Sequence, residues 1–118
     1  MSEAVTEVRP HSQVLLIGVL KGALDDASTR RLMDEVLEAA AATPRIPLVL
    51  DLSRVRFAPS VALGALAQMT KSFKLDGRRL ALIGVTPNVL GSIRVTNLDA
   101  LLEIHSTLEQ VTGSMPGG

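Results

Sequence analysis

Asp51 to Gly64 reads D-L-S-R-V-R-F-A-P-S-V-A-L-G, and within it the chain passes from strand chemistry to helix chemistry. The apolar run that leads into it ends in a carboxylate at Asp51, a short loop follows, and from Ser60 the pattern changes. Apolar residues then fall at 62, 63, 66, 69 and 73, the three-and-four spacing of a helix with one buried face. Ser60 is suited to cap that helix, because a serine Oγ accepts from a first-turn N–H. The same position suits a phosphate. Helix starts carry partial positive charge, worth about 0.3–1 kcal/mol to an exposed anion.

Outward from this junction the chain alternates between two kinds of segment. Pro47–Leu52 is apolar except for Asp51 and predicts a buried, central strand. The Ser60 helix is expected to run to about Lys74 and close at Asp76-Gly77, with Lys71 and Lys74 near its negative end. Leu80–Val85 predicts the next strand. Thr86-Pro87 then opens a helix with threonine as cap and proline at the first helical position, carrying Val89, Leu90, Ile93 and Val95 and stopping near Asn97. Leu101–Ile104 predicts a last short strand, and Ser106-Thr107-Leu108-Glu109 has capping-box spacing.

Upstream, residues 4–9 alternate as a short edge strand, and Val14–Leu20 is a strand buried on both faces, with Gly18 marking a bulge or a close approach. Gly22-Ala23-Leu24-Asp25 ends it. The segment 27–42 predicts an amphipathic helix capped by Asp25 or Asp26, with Met33, Val36, Leu37 and Ala40 on the buried side and its charges on a solvated face. Buried strands alternating with amphipathic helices imply parallel crossovers, so the class is α/β.

The chain has 118 residues, enough for one domain with its own core. That core must be aliphatic, since there are two Phe and no Trp or Tyr. Stacking on nucleic-acid bases needs surface rings and is excluded as a main mode. Twelve basic and twelve acidic side chains cancel, leaving no general pull toward nucleic acid or an anionic membrane. The same balance permits self-association. No cysteine is present, which removes disulfides, thiolate nucleophiles and cysteine-type zinc sites and fits the cytoplasm. Met1–Arg9 has acidic residues and no apolar h-region, so no secretory signal is expected. No apolar run reaches the roughly 20 residues of a membrane span.

Catalytic readings find little to work with. A Ser60 nucleophile would need a base, and the two histidines, His11 and His105, lie beside no motif. The Gly-x-Ser-x-Gly elbow is absent, because Pro59 and Val61 flank Ser60. No P-loop is present. Dispersed acidic residues give no ligand spacing, so neither cofactor nor metal is expected.

Three segments together resemble the STAS domain, the fold of bacterial anti-sigma-factor antagonists and of related sulfate-transporter and stressosome modules. They are the strand followed by Gly22-Ala23-Leu24-Asp25, the run Pro47 to Gly64 with its D-L-S-x-V-x-F and strand–helix junction, and Gly77 to Gly84 with the helix and strand after it. The resemblance spans about residues 12–112, leaving 113–118 as a flexible tail. It implies a mixed sheet of four or five strands with three to four helices packed mainly on one face. It also implies a module that binds an ATP-dependent anti-sigma kinase until phosphorylation of a junction serine breaks the complex.

Ser60 falls on that serine, and Leu63 and Gly64 fall on the family's helix-start residues. Pro59 stands where the family usually has Asp, Val61 where it has Ser or Thr, and Ala62 where it has Gly. These departures favour an alternative, a scaffold or accessory member that is never phosphorylated. Connections at one end of an α/β sheet cluster in space, which predicts a partner face made of Ala23, Leu24, Asp25, Asp26, Phe57, Ala58, Pro59, Ser60, Val61, Leu63, Thr86 and Asn88.

Overall fold

Leu48, Val49 and Leu50 are all fully buried, yet the two leucines belong to one apolar cluster and the valine to another. Successive strand side chains point to opposite faces, so this strand is covered on both sides. The computed structural model describes residues 4–11 and 13–113; of the predicted tail at 113–118, Gly113 is instead the last residue of a helix, and 114–118 lie outside the described residues. In chain order the elements are β1 (Thr6–His11), β2 (Val14–Val19), α1 (Asp26–Ala42), β3 (Leu48–Asp51), α2 (Ser60–Leu75), β4 (Leu80–Ile83), α3 (Pro87–Val95), a 3-10 turn (Leu98–Ala100), β5 (Glu103–His105) and α4 (Leu108–Gly113).

The strands form one five-stranded sheet in the order of the sequence, β1-β2-β3-β4-β5. β1 is antiparallel to β2, and the remaining neighbours are parallel. A right-handed crossover repeated three times in one direction sets its helices on one face. There, Leu32 and Val36 of α1, Leu63, Leu66 and Phe73 of α2, and Val89 and Ile93 of α3 pack with Leu48, Leu50 and Leu82. The opposite face is served by α4, whose Val111 joins Val14, Val49, Ala81 and Ile83. The α/β class, the mixed five-stranded sheet and the helices mainly on one face agree with the sequence reading.

The ends of the elements show where local rules apply. Asp25 caps α1, its Oδ1 accepting from Ser28 N at 2.7 Å, as predicted. α2 closes at Asp76, followed by Gly77 at φ +76°, the left-handed conformation glycine adopts without penalty. At the sheet edge, the Glu35 carboxylate of α1 accepts the N–H groups of Val5 at 3.0 Å and Thr6 at 2.9 Å and also the Thr6 hydroxyl. Those donors would otherwise be open to strand pairing.

Several expectations are corrected. Gly18 makes no bulge, since Glu7↔Gly18 sits in an unbroken register, and an added Cβ would meet Glu7 O at 3.8 Å, an ordinary contact. The buried stripe of α1 runs through Thr29, Leu32, Val36 and Ala40, one step round from the predicted one, and Leu37 is exposed. Val95 is exposed as well, because Val89 and Ile93 already define the inner face of α3. The last strand begins at Glu103 because residues 98–100 form a 3-10 turn. The capping arrangement of α4 is shifted by one residue: Gln110 N donates to Thr107 Oγ1 at 3.3 Å, and Gln110 Oε1 accepts from Ser106 N at 2.8 Å.

Candidate functional site

The proline ring of Pro59 fixes φ near −65° and removes a donor. Here φ is −67° and ψ 163°, and Pro59 is the N-cap of α2. Ser60 is therefore the first helical residue and not the cap that its side-chain chemistry predicts. The first bond of the helix runs from Leu63 N to Pro59 O at 3.1 Å, and no side chain caps the turn. Ser60 is exposed. Its hydroxyl has no hydrogen-bond partner among the described residues.

The loop before it is held from two sides. Arg56 N and Phe57 N both donate to Gly22 O, at 2.8 and 3.2 Å, and Leu24 N donates to Phe57 O at 3.0 Å, which makes a parallel bridge between Ala23 and Phe57. From the other side, Thr86 Oγ1 donates to Val55 O at 2.7 Å, and Asn88 Nδ2 donates to Arg56 O at 2.7 Å. The three segments that the sequence groups at one end of the sheet are thus physically joined. Thr86 is the N-cap of α3 with Pro87 at the helix start, as predicted, but its side chain makes no cap bond and anchors the loop instead.

Between the starts of α2 and α3 lies a groove of about 460 Å3, walled by Phe57, Pro59 and Leu63 on one side and Pro87, Gly91 and Val95 on the other. Ser60 and Asn88 also line it, and no ionisable side chain does. Phe57 is 57 % exposed and Val95 83 %, while Val61 in the first turn of α2 is 68 % exposed. Large apolar side chains left in water beside a neutral groove are the composition of a binding surface.

The predicted face divides by burial. Ala23, Asp25, Asp26, Phe57, Ser60, Val61 and Asn88 are exposed, and Pro59 and Thr86 are half-buried. Leu24, Ala58 and Leu63 are buried in the core, although Ala58 and Leu63 also line the groove. The Ser28 N–H, followed by its hydroxyl, holds the Asp25 carboxyl below its ordinary value. Asp51 Oδ1 accepts from Ser53 N at 2.9 Å, the local backbone use that its place at a strand end suggests.

The remaining chemistry lies elsewhere. His105 Nε2 hydrogen-bonds Glu103 Oε2 at 2.7 Å, His11 is exposed on β1, and neither lines the groove. Among the described residues no group of three or more His, Asp or Glu is placed to hold a metal, and no helix is long and apolar enough to cross a membrane. Sequence reasoning missed Gly91 and Val95 as groove walls. The available signal was their offset from the Val89–Ile93 stripe.

Comparison with known proteins places this geometry. A family model described as the STAS domain matches residues 5–111. An anti-sigma-factor antagonist domain protein from Planctomyces limnophilus superposes with a TM-score of 0.78 at 23 % identity, over 93 % of this chain and 96 % of that one. An anti-sigma factor antagonist from Mycobacterium paratuberculosis gives a TM-score of 0.78 at 27 % identity, over 92 % and 91 %. The antagonist SpoIIAA in its unphosphorylated form gives 0.70 at 14 % identity, over 93 % and 98 %. With residues 5–111 matched by the family model and the overall fold shared with these structures, the chain belongs to the STAS domain family.

Proposed function

We infer that the protein is a regulatory binding module of the anti-sigma-factor antagonist type. It docks an ATP-dependent anti-sigma kinase on the rim formed by the 55–59 loop and the starts of α2 and α3, and phosphorylation of Ser60 releases it. It acts in the cytoplasm as a single domain with its core at about 12–112, and not as an enzyme. The observation that carries this reading is the free, exposed Ser60 hydroxyl at the edge of a groove without ionisable side chains.

A phosphoserine carries about −1.5 to −2 charge at neutral pH. Placed beside an apolar partner surface, that charge must be desolvated or expelled, so modification dissociates the complex without any change of fold. The test is incubation of the chain with anti-sigma kinases and ATP. A mass gain of about 80 Da, the size of one phosphoryl group, that disappears in Ser60→Ala, together with loss of kinase binding by the modified chain, is the expected result.

The second reading is a scaffold that binds constitutively. Exposed Val61 and the donor-free Pro59 favour it, because the first turn of α2 offers a partner apolar surface where the family usually has a hydroxyl. A kinase that binds the chain tightly yet leaves Ser60 unmodified would decide for it.

A further inference from the structure

We propose that Thr86 and Asn88 are positioning residues, which hold the 55–59 loop in the shape that presents Phe57 and Ser60. This departs from the expectation that both contact the partner, and it rests on the docking reading given above.

The loop belongs to neither β3 nor α2, so its shape depends on bonds from outside it. Its carbonyls at Val55 and Arg56 are taken by the Thr86 hydroxyl and the Asn88 amide, each at 2.7 Å. A threonine at an N-cap ordinarily turns its oxygen to the first-turn N–H groups, worth about 1 kcal/mol to the helix. Thr86 makes no such bond and is directed to Val55 instead. The half-buried Thr86 hydroxyl therefore serves the loop in preference to its own helix.

The two bonds also tie together the segments that carry the two walls of the groove. Thr86 and Asn88 flank Pro87 on the α3 wall, and Val55 and Arg56 lead into Phe57 and Pro59 on the α2 wall. On the far side of the loop, Gly22 O receives Arg56 N and Phe57 N. The loop is thus fixed between α3 and the turn before α1, and the width of the groove follows from both attachments. A partner meeting a preformed groove loses less conformational freedom on binding.

The test is amide hydrogen exchange on the full chain, read at Arg56 and Phe57, alongside affinity for an anti-sigma kinase. Loss of one such bond, roughly 1–1.5 kcal/mol, corresponds to about ten-fold. Thr86→Val and Asn88→Ala are each expected to speed exchange at these two amides about ten-fold, to leave core amides unchanged, and to weaken kinase binding about ten-fold, with Thr86→Ser restoring both readouts. Affinity lost with loop exchange unchanged would show direct contact and overturn the proposal, as would acceleration spread over the whole domain. If Thr86→Val does not fold, Asn88→Ala at its exposed position gives the same comparison. Failure of the wild-type chain to bind any anti-sigma kinase removes the docking reading, while the exchange result still decides whether these side chains hold the loop.

Discussion

Arg78 Nη1 donates a 2.6 Å hydrogen bond to the carbonyl oxygen of Ala40, the last buried residue of α1. Its Nε donates to Ile46 O at 2.9 Å, its Nη2 reaches the Thr43 carbonyl, and the guanidinium lies 5.9 Å from the centre of the Phe73 ring. The carbonyls at a helix end have no partner within the helix, and here a residue of the α2–β4 turn supplies one. Arg78→Ala is expected to lower stability by about 1.5–3 kcal/mol, the range for bonds from a charged donor, measured by urea denaturation. Arg78→Lys should recover only part of this, since one ammonium cannot reproduce the planar fork.

Acid should weaken the fold through two carboxylates. Burial pushes the Glu103 carboxyl up, but hydrogen bonds from Arg79 and His105 outweigh it and leave the group below its ordinary value of 4.5. Glu35 follows the same balance, with burial opposed by the Thr6 hydroxyl and by the Val5 and Thr6 N–H groups. A depressed folded-state pKa gives stability that is complete above the unfolded value and lost as pH falls through the folded one. Unfolding free energy is therefore expected to change little from these groups at neutral pH and to fall below about pH 4.5. In Glu103→Gln the neutral-pH value should be lower and the acid slope shallower.

Gly84 and Gly64 should respond in opposite directions to alanine. Gly84 has φ +65°, and a Cβ there would stand 3.0 Å from Asp51 Oδ1 and 3.1 Å from Ser53 Cβ. The left-handed backbone alone costs an L-residue roughly 1–2 kcal/mol, so Gly84→Ala should lower the melting temperature by at least about 4 °C. Gly64 lies inside α2 with nothing within 4 Å of its added Cβ. Gly64→Ala should stabilise the protein by about 0.5–1 kcal/mol. Thermal melts of the pair check both signs.

Phe57 and Val95 should matter to binding far more than to folding. Both are mostly exposed, and surface substitutions of that kind usually change stability by no more than about 0.5 kcal/mol. Phe57→Ser and Val95→Ser are each expected to melt close to wild type and to lower kinase affinity about ten-fold, the effect of truncating an interface anchor. Calorimetric titration of each variant against the kinase is the measurement.

Much of the fold is legible along the chain because its signals are local. The alternation of buried strands with amphipathic helices, the Asp25 cap and the Asp76-Gly77 stop each depend on residues a few positions apart, and all appear in the structure. Errors arose where a distant group, an adjacent proline or packing outbid a local preference. Thr86 turns its hydroxyl from its own helix to Val55. The proline ring at position 59 leaves Ser60 one step inside α2. Leu37 and Val95 carry apolar chemistry on faces that packing leaves in water.

Sequence by itself determined the α/β class, the central place of the Leu48–Asp51 strand and the strand-to-helix change near Ser60, since periodicity and turn chemistry are written in neighbouring residues. Tertiary structure alone decided which side chains close the groove and which hydrogen bonds hold its rim. Val55 and Thr86 lie 31 positions apart, and only the sheet, by carrying α2 and α3 to one face, brings them within 2.7 Å.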